Sequence, residues 1–243
     1  MINVTRQATI PTALTAPEIQ QYIQDCIRHL GNPGAHPRPE KPASYRTSDL
    51  LAAFDRDFYS KCYLTEQRFE NSWPMDVEHF IPQVEAPELV YTWTNLFPAD
   101  GHANRMKPRA TPTGGYLKPC DPEDNVETEI IYTLSPYGYD PQFTPLNATN
   151  IKAANTCTLL NRVHNGHSED TKKLTVDLRH AIHKKYIDVL KKIIEWQDAA
   201  TGSQEKVQAE RELREMLSRR SAFTMLCRSI PAVRQRVPAD FLD

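Results

Sequence analysis

Five residues in one stretch have types and spacing suited to phosphodiester chemistry. Glu78 and His79 are adjacent, Asn95 follows alone, and Asn104 and Lys107 are three apart. Deprotonating water near pH 7 calls for a neutral imidazole, which His79 can supply. Offsetting charge on the phosphorus and helping the leaving oxygen depart are tasks for a divalent cation. Mg²⁺ takes hard oxygen ligands and keeps several waters, so a Glu78 carboxylate and an Asn104 amide oxygen are a sufficient protein share. Asn95 stands where a loop clamp is needed, and Lys107 is a candidate phosphate-binding cation. Arg105, Arg109 and Lys118 add positive charge of the kind that contacts a nucleic-acid backbone without reading bases.

The positioning elements must satisfy two constraints. Strand neighbours point to opposite faces, so Glu78 and His79 share a site only if the strand ends or bends there; Pro82 is consistent with that. Asn104 and Lys107 share a face if both lie on one helix. His102 competes with Asn104 as a ligand, but Asn104 has the better spacing to Lys107. Trp93 is expected in the core.

Upstream, Thr15-Ala16-Pro17-Glu18 is expected to form a capping box opening a helix that Gly31 stops. Its apolar face is Ile19, Tyr22, Ile23, Cys26, Ile27 and Leu30. A proline-rich loop spans 32–43, and a second helix starts at Thr47 or Ser48. Residues 62–118 suit short strands and loops around one helix. Downstream, 129–134 is a strand candidate within a Pro- and Gly-rich region. From 149 the pattern is helical, with Leu174, Leu178, Ala181, Ile182, Tyr186, Val189, Leu190 and Ile193 on one long amphipathic helix. Further helices are expected at 204–219 and 221–229. His164 and His167 read as a solvated loop, and Leu159–Arg162 as a packing face that leaves Arg162 as a candidate phosphate contact.

The chain has 243 residues, 40% hydrophobic and 25% charged, enough for one large domain or two small ones. A net charge of −2 gives no global attraction to nucleic acid, so such binding must come from local patches. Residues 152–192 carry nine Lys and Arg against four Asp and Glu, and 206–236 eight against three. Five scattered cysteines without a CxxC pair signal neither a disulfide framework nor a zinc site. No charged start followed by an apolar run marks a signal peptide, and no run approaches a membrane span. A cytoplasmic location without membrane attachment is expected.

Glu78-His79-Phe80-Ile81-Pro82, Asn95 and Asn104 resemble the HNH (ββα-metal) nuclease superfamily. The resemblance implies Glu78 and Asn104 as metal ligands, His79 as general base and Asn95 as the clamp, with Mg²⁺ or Mn²⁺ as cofactor. Lys61-Cys62-Tyr63-Leu64-Thr65-Glu66, Tyr91-Thr92-Trp93-Thr94-Asn95-Leu96, Leu117-Lys118-Pro119-Cys120-Asp121-Pro122 and Leu159-Leu160-Asn161-Arg162 are similar to landmarks of the PtuB-like family. That family includes the nuclease subunit of the Septu anti-phage system, which works with a PtuA-type ATPase, and retron-associated relatives. Many relatives hold a structural zinc with two Cys pairs. Here those places read Cys62 and Thr65, then Asp100 and Ala103, a set of mixed type that would hold a structural zinc poorly, and none is expected. The first 45 residues show nothing specific.

The expectation is an α+β protein with a small ββα-metal HNH core in a predominantly helical shell. Its parts are an N-terminal helical segment (1–60), a nuclease core (61–120) and a loop-rich then helical region (121–243), in one compact domain. The expected function is metal-dependent endonuclease cleavage in anti-phage defence, with DNA or RNA as substrate and a PtuA-type ATPase as partner. Alternatives are a tRNA-cleaving nuclease working with a retron reverse transcriptase and its RNA, or a catalytically silent HNH-derived binding subunit.

Overall fold

Pro17 opens the first helix, where its missing N–H costs nothing. This helix, α1 (Pro17–Gly31), buries Ile19, Tyr22 and Cys26, whereas Ile27 and Leu30 lie half-exposed. The capping box does not form: Ala16 is the N-cap, and the Thr15 hydroxyl donates back to the Thr12 carbonyl at 2.9 Å. Helix α2 (Ser48–Phe58), with Thr47 as N-cap, closes on Tyr59 in the left-handed region (φ 57°). The computed structural model of the chain describes residues 1–136, 140–166 and 172–243.

Strands β1 (Asp76–His79) and β2 (Leu96–Ala99) form an antiparallel hairpin with Glu78 opposite Phe97 and His79 opposite Leu96. A six-residue helix, α3 (Gly101–Met106), follows directly. Then come α4 (Val126–Glu129) and a second antiparallel pair, β3 (Ile130–Leu134) and β4 (Pro141–Pro145). Helices α5 (Ile151–Asn165), α6 (Lys172–Asp198), α7 (Gln204–Leu217), α8 (Thr224–Ser229) and α9 (Pro231–Arg236) complete the chain. Helices account for 49% of the described residues, so the class is α+β with helix dominating. Along α6, Leu178, Ile182, Val189 and Ile193 are buried as the spacing predicts; Leu174, near its start, is exposed.

One core draws on all three sequence segments. Leu50 and Phe54 of α2, Leu96 and Phe97 of β2, Ile130 of β3, Leu160 of α5 and Ile182 of α6 belong to the same buried cluster. A second cluster joins the end of α6 to α7, α8 and α9 through Val189, Ile193, Leu213, Leu217 and Ile230. Trp93 is buried and stacks on Phe54 with ring centroids 5.6 Å apart.

Residues 61–68 turn back on themselves beside β2, with the Tyr63 N–H donating to the Pro98 carbonyl at 2.9 Å. Cys62, Thr65, Asp100 and Ala103 meet there. The Thr65 hydroxyl donates to Asp100 Oδ2 at 2.7 Å, and Asp100 Oδ1 accepts the Ala103 N–H at 2.7 Å, capping α3. Buried carboxylate hydrogen bonds are among the stronger neutral–charged contacts, so this cluster fixes the start of α3 on the hairpin.

Candidate active site

Glu78 and His79 line one open cleft of about 370 Å³, with Tyr45, Gln83, Asn104 and Arg109 on its other walls. They meet there because β1 ends at His79. The Phe80 N–H still donates to the Asn95 carbonyl at 2.8 Å, but beyond it the chain turns away. A strand continuing past His79 would separate the two side chains by the thickness of the sheet.

Lys107 is not on the helix. Helix α3 stops at Met106, and Lys107 is its C-cap with extended ψ (132°). Its side chain therefore folds under the hairpin, where the ammonium binds Glu78 Oε1 and donates to the carbonyls of His79 (2.7 Å) and Phe80 (2.8 Å). All three donors of the ammonium are used and the residue is buried. Lys107 lines the same cleft as Asn104, and in this structure its ammonium serves as the counter-ion of Glu78. Burial pushes the Glu78 carboxyl above its usual range, while Lys107 and the Tyr63 hydroxyl (2.8 Å to Oε2) pull it back.

His79 Nε2 lies 3.1 Å from the Val90 carbonyl, which can only accept, so Nε2 carries the proton and Nδ1 is the basic nitrogen. Nδ1 accepts the Gln83 amide N–H at 3.0 Å. The Tyr45 ring stands edge-on to the imidazole at 4.9 Å. Burial lowers the His79 pKa to about 4, and the positive charges of Lys41 and Lys107 push the same way. The imidazole is therefore neutral at pH 7, as a base must be.

Asn95 ties the ends of the loop between the strands together. Its Oδ1 accepts the Ile81 N–H at 2.8 Å, and its Nδ2 donates to the carbonyls of Ile81 (3.1 Å) and Leu89 (3.3 Å). Arg6 braces the same turn from behind, donating to the carbonyls of Trp93 (2.7 Å) and Leu96 (2.6 Å) with its guanidinium 4.1 Å from the Trp93 ring centroid.

The oxygen donors of the cleft suit a hard divalent cation. Asn104 gives its Nδ2–H to Asp76 Oδ2 at 2.9 Å, which leaves Oδ1 as the amide's acceptor. Glu78 keeps lone pairs beyond those taken by Lys107 and Tyr63. Among the described residues no group of three His, Cys, Asp or Glu side chains could hold a metal. His102 faces elsewhere: it is buried with Nε2 2.8 Å from the Val163 carbonyl, which excludes it as a ligand of this cleft.

The remaining cations divide by position. Arg109 lines the cleft, Arg105 is exposed on α3, and Arg162 is exposed on α5 beside Tyr116. Lys118 is half-buried with its ammonium 5.8 Å from the Phe80 ring. Much of the basic excess in the last helices is already paired, as in Arg179–Asp140, Lys192–Glu212, Arg219–Glu127 and Arg228–Asp243. His164 does not lie in a solvated loop. It is buried in α5, and its Nδ1–H donates to the Leu160 carbonyl at 2.8 Å, while His167 lies outside the described residues.

Tyr45, Tyr63, Asp76, Gln83 and Arg6 were not singled out from sequence as site residues. Asp76 sits two before Glu78, on the same face of β1, and Gln83 follows Pro82 directly, so spacing could have flagged both. Tyr45 and Arg6 are too distant along the chain to carry such a signal. Among the described residues no helix is long and apolar enough to cross a membrane. No protein-family model, curated protein or solved structure shows a significant match to this chain.

Proposed function

We propose that the chain is a metal-dependent HNH-type endonuclease acting on nucleic-acid phosphodiesters. One observation carries this reading: a neutral imidazole, proton fixed on Nε2 by a backbone carbonyl, turns its basic nitrogen into a cleft walled by Glu78 and Asn104. The hairpin, clamped loop and following helix that present these groups resemble a ββα-metal core. A divalent ion held by Glu78 and Asn104 would supply charge neutralisation at the phosphate.

In the proposed step the Gln83 amide leaves Nδ1, and Nδ1 takes a proton from a water. The water oxygen bonds to phosphorus as the bond to the leaving oxygen breaks, and that oxygen takes a proton from solvent. Asn95 holds the loop so that His79 and Glu78 keep their spacing. Nothing in the cleft is built to read a base sequence. Specificity then comes from substrate shape or from a partner, a PtuA-type ATPase in a defence role or a retron reverse transcriptase with its RNA.

A second reading has its own support. Gln83 occupies the base nitrogen and Lys107 the carboxylate, as a catalytically silent binding subunit would tolerate. Incubating the protein, alone and with its genomic neighbour, with plasmid DNA and total tRNA in Mg²⁺ or Mn²⁺ decides between them. The nuclease reading expects cleavage that His79→Ala reduces at least about 10³-fold without unfolding the protein. Intact substrates under every condition favour the silent subunit.

A further inference from the structure

A cation stands just behind two residues of the cleft wall, Gln83 and Tyr45. Lys41, exposed on the proline-rich segment before α2, places its ammonium on Gln83 Oε1 and 5.6 Å from the centroid of the Tyr45 ring. Both partners are uncharged, and among the described residues no carboxylate lies in ion-pair range of it. Lys107, which lines the cleft, is buried and paired with Glu78. Lys41 is thus a cation beside His79 with no ion-pair partner among the described residues, close enough to act on that imidazole, and it complements Arg109 on the cleft wall.

The segment that delivers Lys41 is strapped in place. The Tyr91 hydroxyl donates to the Ala43 carbonyl, Tyr45 packs edge-on to His79, and Arg46 donates to the carbonyls of Trp73 and Met75. Pro37, Pro39 and Pro42 restrict the backbone on either side of Lys41. A phosphodiester near enough to His79 for an attacking water to bridge them lies within reach of this ammonium. A phosphate oxygen is a stronger acceptor than a neutral amide.

We propose that Lys41 is a substrate-phosphate ligand supplied by the N-terminal segment, and that it exchanges the Gln83 amide oxygen for a phosphate oxygen when nucleic acid enters the cleft. The inference rests on the nuclease reading and adds a binding residue to it. That exchange also loosens the hold on Gln83, whose other end rests on His79.

The test is binding without turnover, followed by kinetics. Fluorescence anisotropy of labelled DNA and RNA oligonucleotides in EDTA, over a salt series, should show Lys41→Ala binding about 10-fold more weakly. The slope of log affinity against log salt should fall by about one, and Lys41→Arg should retain most of the affinity. In cleavage assays Lys41→Ala should raise KM with kcat within a few-fold of wild type. Wild-type affinity and salt slope in Lys41→Ala, while the wild-type enzyme cleaves, would remove Lys41 from the site and leave the nuclease reading standing. A wild-type protein that neither binds nor cuts overturns both.

Discussion

The Thr65 hydroxyl and the Asp100 carboxylate, 35 residues apart in sequence, share a buried 2.7 Å hydrogen bond at the base of α3. Asp100 also caps that helix, so one carboxylate holds the turn at 61–68 and the helix start together. Asp100→Ala should destabilise the protein by about 2–4 kcal/mol, and Thr65→Val by about 1 kcal/mol. The two losses share a bond, so the double variant should cost little more than Asp100→Ala alone. Urea denaturation of the four proteins gives the comparison, and full additivity would deny the coupling.

Lys107 should behave as a structural residue. Replacing it with Met leaves a buried Glu78 carboxylate without its counter-ion, a loss of about 3–5 kcal/mol. The expected signature is a lowered unfolding midpoint, with the salt dependence of nucleic-acid binding by the folded fraction unchanged. A stable Lys107→Met protein with a reduced salt slope would return Lys107 to the substrate.

Asp76 should set the orientation of the Asn104 amide. With Asp76→Asn the partner both donates and accepts, so the amide can flip and present nitrogen to the cleft. Mn²⁺ affinity, followed by calorimetry or electron paramagnetic resonance, should fall about 10-fold, the usual effect of losing an outer hydrogen bond to a ligand. Asp76→Glu should recover part of it. Equal Mn²⁺ binding by wild type and Asp76→Asn would show that Asn104 needs no such support.

Acid should weaken the fold through His164. Burial lowers its pKa to about 4, below the ordinary value near 6.5, so between those limits the unfolded chain binds the proton more readily. Stability is then whole above about pH 6.5 and falls as pH drops toward 4, by roughly 3 kcal/mol for this group. His79 shifts in the same direction and adds to the slope. Urea midpoints from pH 7.5 to 4.5 should decline less steeply in His164→Gln than in wild type.

The helices and the hairpin landmarks were readable because they rest on local signals. Apolar spacing marks α1, α2 and α6, and Glu78, His79 and Asn104 line one cleft beside strands only four residues long. What stayed hidden depends on where a short element ends or what packs from afar. The pairing of Lys107 with Glu78 has no local signal, because α3 stops one residue before Lys107 and the partner lies on β1. The burial of His164 has no local signal, since Phe143 of β4, 21 residues earlier, packs on its ring at 4.8 Å. Strand β4, with prolines at both ends, has little strand signature of its own and is defined by pairing with β3.

The Arg6 brace bears on the order in which the molecule assembles. Its two carbonyl partners lie 87 and 90 residues further along the chain, on either side of Asn95. Local helices such as α1 can begin to form as soon as their own residues are available. The turn that carries the clamp gains its back support only once the two distant segments have met, and contacts of such long sequence separation slow folding. Refolding followed near Trp93 should therefore lag the appearance of helical signal, making the cleft one of the last parts of the protein to become native.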